Sequence, residues 1–296
     1  MALTDKLSAI GNAIRAKTGG TDMLALDDMP NAIASIQTGS GSGFWSEDYV
    51  RKLISRTYEL DSVVFPSGLE TIGKYAFAGC HSLNFSSLPS TIKSIDYGAF
   101  EQCSSLTLTS LPNGITSIME DAFSECTELA LTSLPSGLTY IGSGVFSGCT
   151  NLQISSLPSG VTYIGSNAFK DCANISLTSL PSGLVNLYNA FRGCTGISLT
   201  SLPPGVTSIS GSTFYGCTGI TTMEFHANIT DIGWGAFEDC TGLTSVTFKG
   251  TPTSISNYAF YGCTNLTNIY VPWSSGAVSG APWGATNATI HYNTTT

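Results

Sequence analysis

The chain has 296 residues, of which 42% are hydrophobic, so it is long enough to bury a substantial core. Only 10% are charged, and 20 acidic against 11 basic side chains leave a net charge of −9. So few cations cannot displace many counterions from a phosphate backbone, which excludes nucleic acid as a partner. No apolar run reaches the roughly 18 to 20 residues of a transmembrane helix, and residues 1–20 lack the apolar core of a secretory signal. The sequence therefore predicts synthesis in the cytoplasm, without a signal peptide and without membrane insertion.

Residues 1–38 predict a small helical hairpin. Apolar residues recur at helical spacing in the first segment, and a second short helix begins near Asp27 or Asp28. Two such short amphipathic helices cannot bury their apolar faces alone, so we expect them to pack together and to dock on a partner or on sister chains. The predicted docking residues are Leu3, Leu7, Ile10, Ile14, Met29, Ile33 and Ile36.

A tether and a capping helix follow the hairpin. Residues 39–43 are Gly-Ser-Gly-Ser-Gly, a composition typical of a flexible linker. Residues 44–296 then form one repeat domain, whose residues 46–56 predict an amphipathic helix with Ser46 as its N-cap. This helix would cover the open edge of the first structural repeat (a coil of the solenoid predicted below), because an exposed sheet edge needs protection.

Nine cysteines recur at intervals of 23 residues, with one interval of 22, and a phenylalanine stands three residues before each. A period this regular predicts a repeat solenoid of nine coils, about 43 Å long at the usual strand spacing. We expect the two series to form buried ladders along the stack. Their members are Phe77, Cys80, Phe100, Cys103, Phe123, Cys126, Phe146, Cys149, Phe169, Cys172, Phe191, Cys194, Phe214, Cys217, Phe237, Cys240, Phe260 and Cys263.

The sequence pattern of each coil predicts one or two short strands, joined by a turn or a short helix. Residues 161–164 and 243–248 have the extended pattern, whereas residues 166–172 favour a turn or short helix. An isoleucine stands five residues before the phenylalanine in eight coils. In the 22-residue coil, Leu187 stands only four residues before Phe191, so one residue is missing between them.

The end of the chain predicts a second cap. Residues 272–296 contain Trp273 and Trp283, followed by a strand-like stretch. We expect the two indole rings to cover the last hydrophobic coil. A binding platform formed by the same rings is the alternative.

The pattern x-Ile-Gly-x-x-Ala-Phe-x-x-Cys-x-x-Leu, followed by Leu-Pro-Ser-Gly, stands most clearly in residues 140–152 and 163–175. It resembles the BspA-like leucine-rich repeats over residues 60–272. The resemblance implies a leucine-rich-repeat solenoid of about 23 residues per coil, of a kind common on bacterial cell-surface or secreted adhesins. In the last three coils other apolar residues replace Leu-Pro but keep the spacing, so the fold should persist.

The cysteines predict neither a metal site nor disulfides. No two are closer than 22 residues and only His81 adjoins one, whereas metal ligands cluster. Equivalent side chains of a stack point the same way, which is poor geometry for a disulfide between neighbouring coils. We therefore expect buried free thiols that act as small hydrophobes, with no cofactor.

The sequence contains no catalytic motif, so we expect a protein that is not an enzyme. The histidines His81, His226 and His291 predict surface loops, and the acidic pairs at 120–121 and 238–239 predict solvated turns.

Variation between coils points to a binding surface instead. The residue after each core phenylalanine differs from coil to coil and predicts an exposed stripe, and Tyr215 and Trp234 are candidates for one aromatic patch. Aromatic, hydroxyl and amide groups suit a cell-surface glycan or protein, although any solenoid exposes such residues. The candidate binding residues are Tyr140, Tyr163, Arg192, Tyr215, Trp234 and Tyr261.

Residues 3–7 and 13–19, followed by residues 29–36, resemble the N-terminal segment of tail-associated proteins in phages and prophages of Gram-positive gut bacteria. This resemblance implies a virion protein that docks on other tail or baseplate proteins through residues 1–38, with the solenoid contacting the host surface. By analogy it implies a homo-oligomer, such as a trimer. A hairpin that only oligomerises explains the same pattern. The alternative function is a bacterial cell-surface or secreted adhesin, which requires an export signal or wall anchor.

Overall fold

The computed structural model describes residue 65 and residues 68–294, which form a β-solenoid of about ten turns of roughly 23 residues. This confirms the predicted fold class. The predicted hairpin in residues 1–38, the linker at 39–43 and the capping helix at 46–56 lie outside the described residues. Within the described part, turns and short strands alternate and there is no helix.

The described residues contain twelve strands, and every pairing between them is parallel. In chain order they are β1 (Thr71–Ile72), β2 (Ser94–Ile95), β3 (Ser117–Ile118), β4 (Tyr140–Ile141), β5 (Tyr163–Ile164), β6 (Ser208–Ile209), β7 (Thr222–Phe225), β8 (Asp231–Ile232), β9 (Ser245–Phe248), β10 (Ser254–Ile255), β11 (Asn268–Tyr270) and β12 (Thr289–His291).

The strands form two ladders on different sides of the coil. Two-residue strands build the first ladder, in the groups β1-β2-β3, β4-β5 and β6-β8-β10, and Leu187 of the short coil joins it by a bridge to Ile164. The longer strands β7, β9, β11 and β12 build the second ladder. Since partners lie one repeat apart, as in Tyr140 opposite Tyr163, equivalent side chains stack along the molecule.

The spacing of buried side chains explains why the second ladder appears only in the last coils. In a Leu-Pro coil the two buried leucines are three residues apart, as in Leu108 and Leu111, which does not fit the alternation of a strand. In β7 the buried side chains Met223 and Phe225 are two apart, as a half-buried strand requires. Proline also lacks the N–H that a ladder needs. One or two strands per coil is therefore confirmed except in the short coil, where Leu187 forms only an isolated bridge.

The segment between the first strand and the cysteine is a turn, which settles the choice between turn and short helix. The second residue after the phenylalanine has a positive φ in all nine coils, and a left-handed residue interrupts a right-handed helix. The backbones of these turns still pair between coils, because the phenylalanine N–H donates to a carbonyl of the next coil at 2.8–3.1 Å. The left-handed residues are Gly79, Gln102, Glu125, Gly148, Asp171, Gly193, Gly216, Asp239 and Gly262.

The core consists of side-chain ladders that run along the stack. The repeated phenylalanine rings are buried, and successive rings stack at centroid distances of 5.1–5.9 Å. All nine cysteines are buried and free. From Cys103 to Cys263, each Sγ donates a hydrogen bond to the carbonyl of the phenylalanine in the preceding coil, at 2.9–3.1 Å. The expectation of thiols acting only as small hydrophobes is thus incomplete, because they are also donors.

Two hydroxyl groups compensate for the residue missing from the short coil. In ordinary coils the N–H after the strand isoleucine donates to the isoleucine carbonyl one coil earlier, as from Gly165 to Ile141 at 2.8 Å. The carbonyl of Leu187 instead accepts from the hydroxyls of Ser210, at 2.8 Å, and Thr213, at 3.3 Å. Thr213 occupies the place of a buried alanine in most other coils, so its hydroxyl serves this local defect.

Both C-terminal tryptophans are buried, which favours the capping role over the binding platform. Trp273 and Trp283 pack edge to face at 6.4 Å, and both rings contact Phe248. The indole N–H of Trp283 donates to the carbonyl of Ser279 at 2.8 Å, and its carbonyl accepts from the N–H of Phe260. Trp283 therefore fills the inside of a tenth turn.

Candidate binding surface

The predicted exposed stripe is wrong for eight of its nine positions. The residue after the core phenylalanine is half-buried from Ala78 to Glu238, and only Tyr261 is well exposed. Side chains of this row lie against one another in adjacent coils, as Arg192 does over Tyr215, whereas the place that follows Tyr261 in the tenth turn is held by Gly284, which has no side chain to cover it. Exposure alone therefore does not mark this row as a ligand surface.

The well-exposed aromatic side chains lie elsewhere in the repeat, but all on one side of the coil. Tyr97, Tyr188 and Trp234 stand three residues before the core phenylalanine, and the others fall between six residues before it and one after it. We call this set the aromatic face: Tyr97, Tyr140, Tyr188, Trp234, Tyr258 and Tyr261. In the described part of the chain, Val185 is the only other large hydrophobic side chain that is exposed. It stands in the short coil two residues before Leu187, one place earlier than Tyr140 stands relative to Ile141.

Tyr140 and Tyr163 form a stacked pair on neighbouring strands, as their shared position predicts. Their rings are parallel within 3° at a centroid distance of 4.9 Å. The Tyr140 hydroxyl donates to Oε1 of Glu120 at 3.0 Å, so its ring orientation is fixed by a hydrogen bond. Burial and this carboxylate together raise the pKa of Tyr140 to about 12, so the phenol stays neutral as a donor.

Arg192 and Tyr215 form a second pair. The guanidinium lies 4.2 Å from the centroid of the Tyr215 ring, a cation–π contact between adjacent coils. A hydrogen bond to Asp239 raises the pKa of the Tyr215 phenol. Tyr215 is therefore occupied by partners in its own molecule, and the expected patch with Trp234 does not form, because Trp234 packs against a different tyrosine.

Trp234 and Tyr261 belong to one cluster that the sequence analysis did not identify, because the residue joining them was missed. Tyr258 lies 6.2 Å from Trp234 and 5.8 Å from Tyr261 by ring centroids. The three side chains are 58%, 49% and 50% exposed, in the order Trp234, Tyr258, Tyr261. We call them the aromatic cluster. The available signal was the second residue before the phenylalanine, which is tyrosine only at Tyr75 and Tyr258.

Two glutamates beside the aromatic face depart from the expected solvated turns. Glu120 and Glu238 are half-buried, and Oε2 of each is buried without a hydrogen-bond partner among the described residues. Burial and then the neighbouring Asp239 raise the pKa of Glu238, while Arg192 opposes the shift. Burial and Glu120 likewise raise the pKa of Asp121. Both places therefore combine aromatic rings with a carboxylate that lacks a full set of donors.

The three histidines do not all lie in exposed surface loops, contrary to the sequence prediction. His81 is exposed as expected, whereas His226 and His291 are half-buried. A ring nitrogen of His226 lies 3.1 Å from the carbonyl of Pro203, and His291 stacks on Tyr270 at 4.6 Å. Since neither half-buried ring adjoins the aromatic face in the repeat, both serve packing.

No group of three or more His, Cys, Asp or Glu side chains in the described part of the chain is arranged to hold a metal ion. Residues 68–294 also contain no helix that is long and apolar enough to span a membrane.

The geometry of short parallel strands, turns and phenylalanine–cysteine ladders is that of a leucine-rich-repeat solenoid. The chain matches the family described as BspA type leucine rich repeat region, in six copies, over residues 52–176 and 186–279. The chain therefore belongs to the BspA-type leucine-rich repeat family. No curated protein matches it.

Solved structures of leucine-rich repeat proteins also resemble the chain. A leucine-rich repeat protein of Bacteroides ovatus is 21% identical over 77% of this chain and 76% of that chain, with a TM-score of 0.45. A leucine rich cell surface protein of Faecalibacterium prausnitzii is 24% identical over 77% of each chain, with a TM-score of 0.46. The T. pallidum leucine rich repeat protein is 32% identical over 59% of this chain and 72% of that chain, with a TM-score of 0.44. With TM-scores below 0.5, these structures do not identify binding residues in this chain.

Proposed function

We propose that the chain is a non-enzymatic adhesin of the bacterial surface or its secretions, which binds a protein or glycan through the aromatic face of its solenoid. Membership of the BspA-type family supports this, since leucine-rich-repeat solenoids are typically interaction scaffolds. The aromatic face carries the proposal.

Aromatic side chains are costly to leave in water and are enriched in the centres of interfaces. Six of them share one side of a rigid ladder, and in the described residues Val185 is the only other large hydrophobic side chain that is exposed. Their backbone supports pair between coils, so the rings need little further ordering when a partner binds.

Binding of the full chain to intact mammalian epithelial cells and Gram-positive bacteria, measured by flow cytometry, tests this proposal. Replacement of the six aromatic-face residues by serine should abolish binding, and Val185→Ser should leave it unchanged. Unchanged folding of both variants is checked by circular dichroism. The proposal would be contradicted if the wild-type chain bound neither cell type, or if the serine variant bound as well as the wild type.

A second candidate function is a phage tail or baseplate component located in the virion. The observation that favours it is the resemblance of residues 1–38 to tail-associated proteins, which lies outside the described residues. The hairpin would dock on the particle, residues 39–43 would act as a tether, and several copies of the solenoid would bind the host with avidity.

Mass spectrometry of phage-like particles from an induced culture separates the two candidates. The tail hypothesis predicts a fixed copy number per particle, and loss of incorporation when residues 1–38 are deleted. The adhesin hypothesis predicts that the chain is absent from particles and present in the cell-surface fraction.

A further inference from the structure

We infer that the aromatic cluster and Glu238 form a site for the ammonium group of a lysine side chain presented by a partner protein. The inference deepens the proposed adhesin function and rests on it. It names one site on the aromatic face and the chemistry that this site recognises.

The first observation is that the three rings of the cluster pack together while no cation of residues 68–294 lies over them. Elsewhere on the same side, Arg192 lies over Tyr215, and Lys74 lies 5.2 Å and 5.6 Å from the ring centroids of Tyr75 and Tyr97. No described cation lies over Trp234, Tyr258 or Tyr261. The residue that would correspond to Arg192, one coil before Tyr261, is Glu238.

The second observation is the position of that carboxylate. Glu238 and Tyr261 hold the same place in adjacent coils, so they are neighbours at the coil spacing of about 4.8 Å. The N–H of Glu238 donates to the carbonyl of Gly235, the residue after Trp234, and its carboxylate folds back over Gly235. Glu238 is therefore placed between the two ends of the aromatic cluster.

The third observation selects the ligand. Glu238 is half-buried, and its Oε2 has no hydrogen-bond partner among the described residues, so the carboxylate keeps a negative charge that the protein's own donors do not fully stabilise. A ligand with charge and N–H groups that approaches the accessible part of this side chain is therefore favoured. The charged groups that act on Glu238 are Asp239 and Arg192, so two carboxylates stand against one guanidinium and the local sum is negative. The whole chain is also acidic, at −9. Aromatic faces and a negative field together favour a cation over a neutral sugar.

A primary ammonium satisfies both requirements, because it offers charge to the rings and N–H groups to the carboxylate. A trimethylated ammonium keeps the charge but has no donor, and an acetylated lysine keeps a donor but has no charge. Arg192 does not fill the site, because its guanidinium is on the Tyr215 ring.

The test measures the affinity of the full chain for a fluorescein-labelled peptide with three lysines separated by Gly-Ser. Matched peptides carry trimethyl-lysine or acetyl-lysine, and a neutral hexasaccharide serves as competitor. We expect the lysine peptide to bind, the trimethylated peptide to bind more weakly, and the acetylated peptide and the sugar to have no effect.

Four variants locate the site. Trp234→Ala should weaken the lysine peptide by about two- to fivefold, the range of an exposed cation–π contact. Glu238→Gln should weaken it by about three- to tenfold, since the charged acceptor is lost. Val185→Ala, an exposed apolar side chain that is not part of the aromatic face, and Glu128→Gln, a distant exposed carboxylate, should each change it by less than about twofold.

Three results would overturn the inference. They are binding of the acetylated peptide as tight as that of the lysine peptide, competition by the sugar, and an unchanged affinity for the lysine peptide in both Trp234→Ala and Glu238→Gln. Each of these outcomes would overturn only the lysine site, and the adhesin proposal would still stand if the wild-type chain binds cells. Failure of the wild-type chain to bind any cells would contradict the adhesin proposal itself.

Discussion

Replacement of Cys149 by alanine should destabilise the solenoid by about 2 kcal/mol. The side chain is fully buried, and its Sγ donates to the carbonyl of Phe123 at 3.0 Å. Loss of the sulfur removes apolar burial worth about 0.8 kcal/mol, as for one methylene. The cavity adds about 0.5 kcal/mol, and the lost hydrogen bond adds about 0.5–1 kcal/mol.

Serine at the same place tests whether the thiol really acts as a donor. Burial raises the pKa of the Cys149 thiol, so it stays protonated and able to donate. If the bond matters, Cys149→Ser keeps a donor for the Phe123 carbonyl and should cost less than Cys149→Ala. If the thiol is only a small hydrophobe, the buried hydroxyl should make serine the more costly change.

Urea unfolding followed by circular dichroism and tryptophan fluorescence gives the comparison, with exposed Ser155→Ala as a control that should change stability by less than about 0.5 kcal/mol. Because repeat proteins can unfold in sections, the two signals must be compared before a free energy is extracted. A serine variant less stable than the alanine variant, or an alanine variant as stable as wild type, would refute the hydrogen-bonded thiol ladder.

Three further predictions concern single positions. Thr213→Val should cost about 1–2 kcal/mol in urea unfolding, because the carbonyl of Leu187 loses one of its hydroxyl donors. Gln102→Gly should stabilise by about 0.5–1 kcal/mol, because φ is +61° there and glycine adopts that conformation without a Cβ penalty. Glu120→Gln should lower the pKa of Tyr140 from about 12 toward its usual 10, in an ultraviolet difference titration of the phenols.

The sign of the tyrosine effect follows from its raised pKa. The folded state binds the proton more tightly than the unfolded state, so the contribution to stability is present below pH 10 and is lost as the pH rises toward about 12.

Ser155→Gly is the control for Gln102→Gly and should destabilise the protein, because φ is negative at Ser155. A stabilising effect at both sites, no cost at Thr213, or a Tyr140 pKa unmoved by Glu120→Gln would each contradict the corresponding prediction.

The repeat itself could be predicted from the sequence, because a strict period of 23 forces equivalent residues to stack whatever the details of one coil. The Tyr140–Tyr163 stack followed from that rule alone. The burial of Trp273 and Trp283 also followed, because the last coil of a solenoid needs a cover.

The parts that could not be predicted depend on contacts between different positions of neighbouring coils. The thiol bonds join a cysteine to a phenylalanine 26 residues earlier in most coils, which requires the radius of the coil and the side-chain direction. Tyr258 contacts Trp234 although the two hold different places in the repeat, so a comparison of equivalent residues overlooks it. Tyr215 was expected to be free for a ligand because the position of Arg192 over its ring is likewise not visible in the sequence.

Hydroxyl-radical footprinting of the full chain, alone and bound to an extract of cell-surface material, tests the central claim most directly. Oxidation of the aromatic-face side chains, followed by mass spectrometry of peptides, should fall on binding, with the largest protection at Trp234, Tyr258 and Tyr261. Oxidation of His81, an exposed ring outside the aromatic face, should not change. Protection of His81 with unaltered oxidation of the aromatic face would contradict the claim that this face is the binding surface.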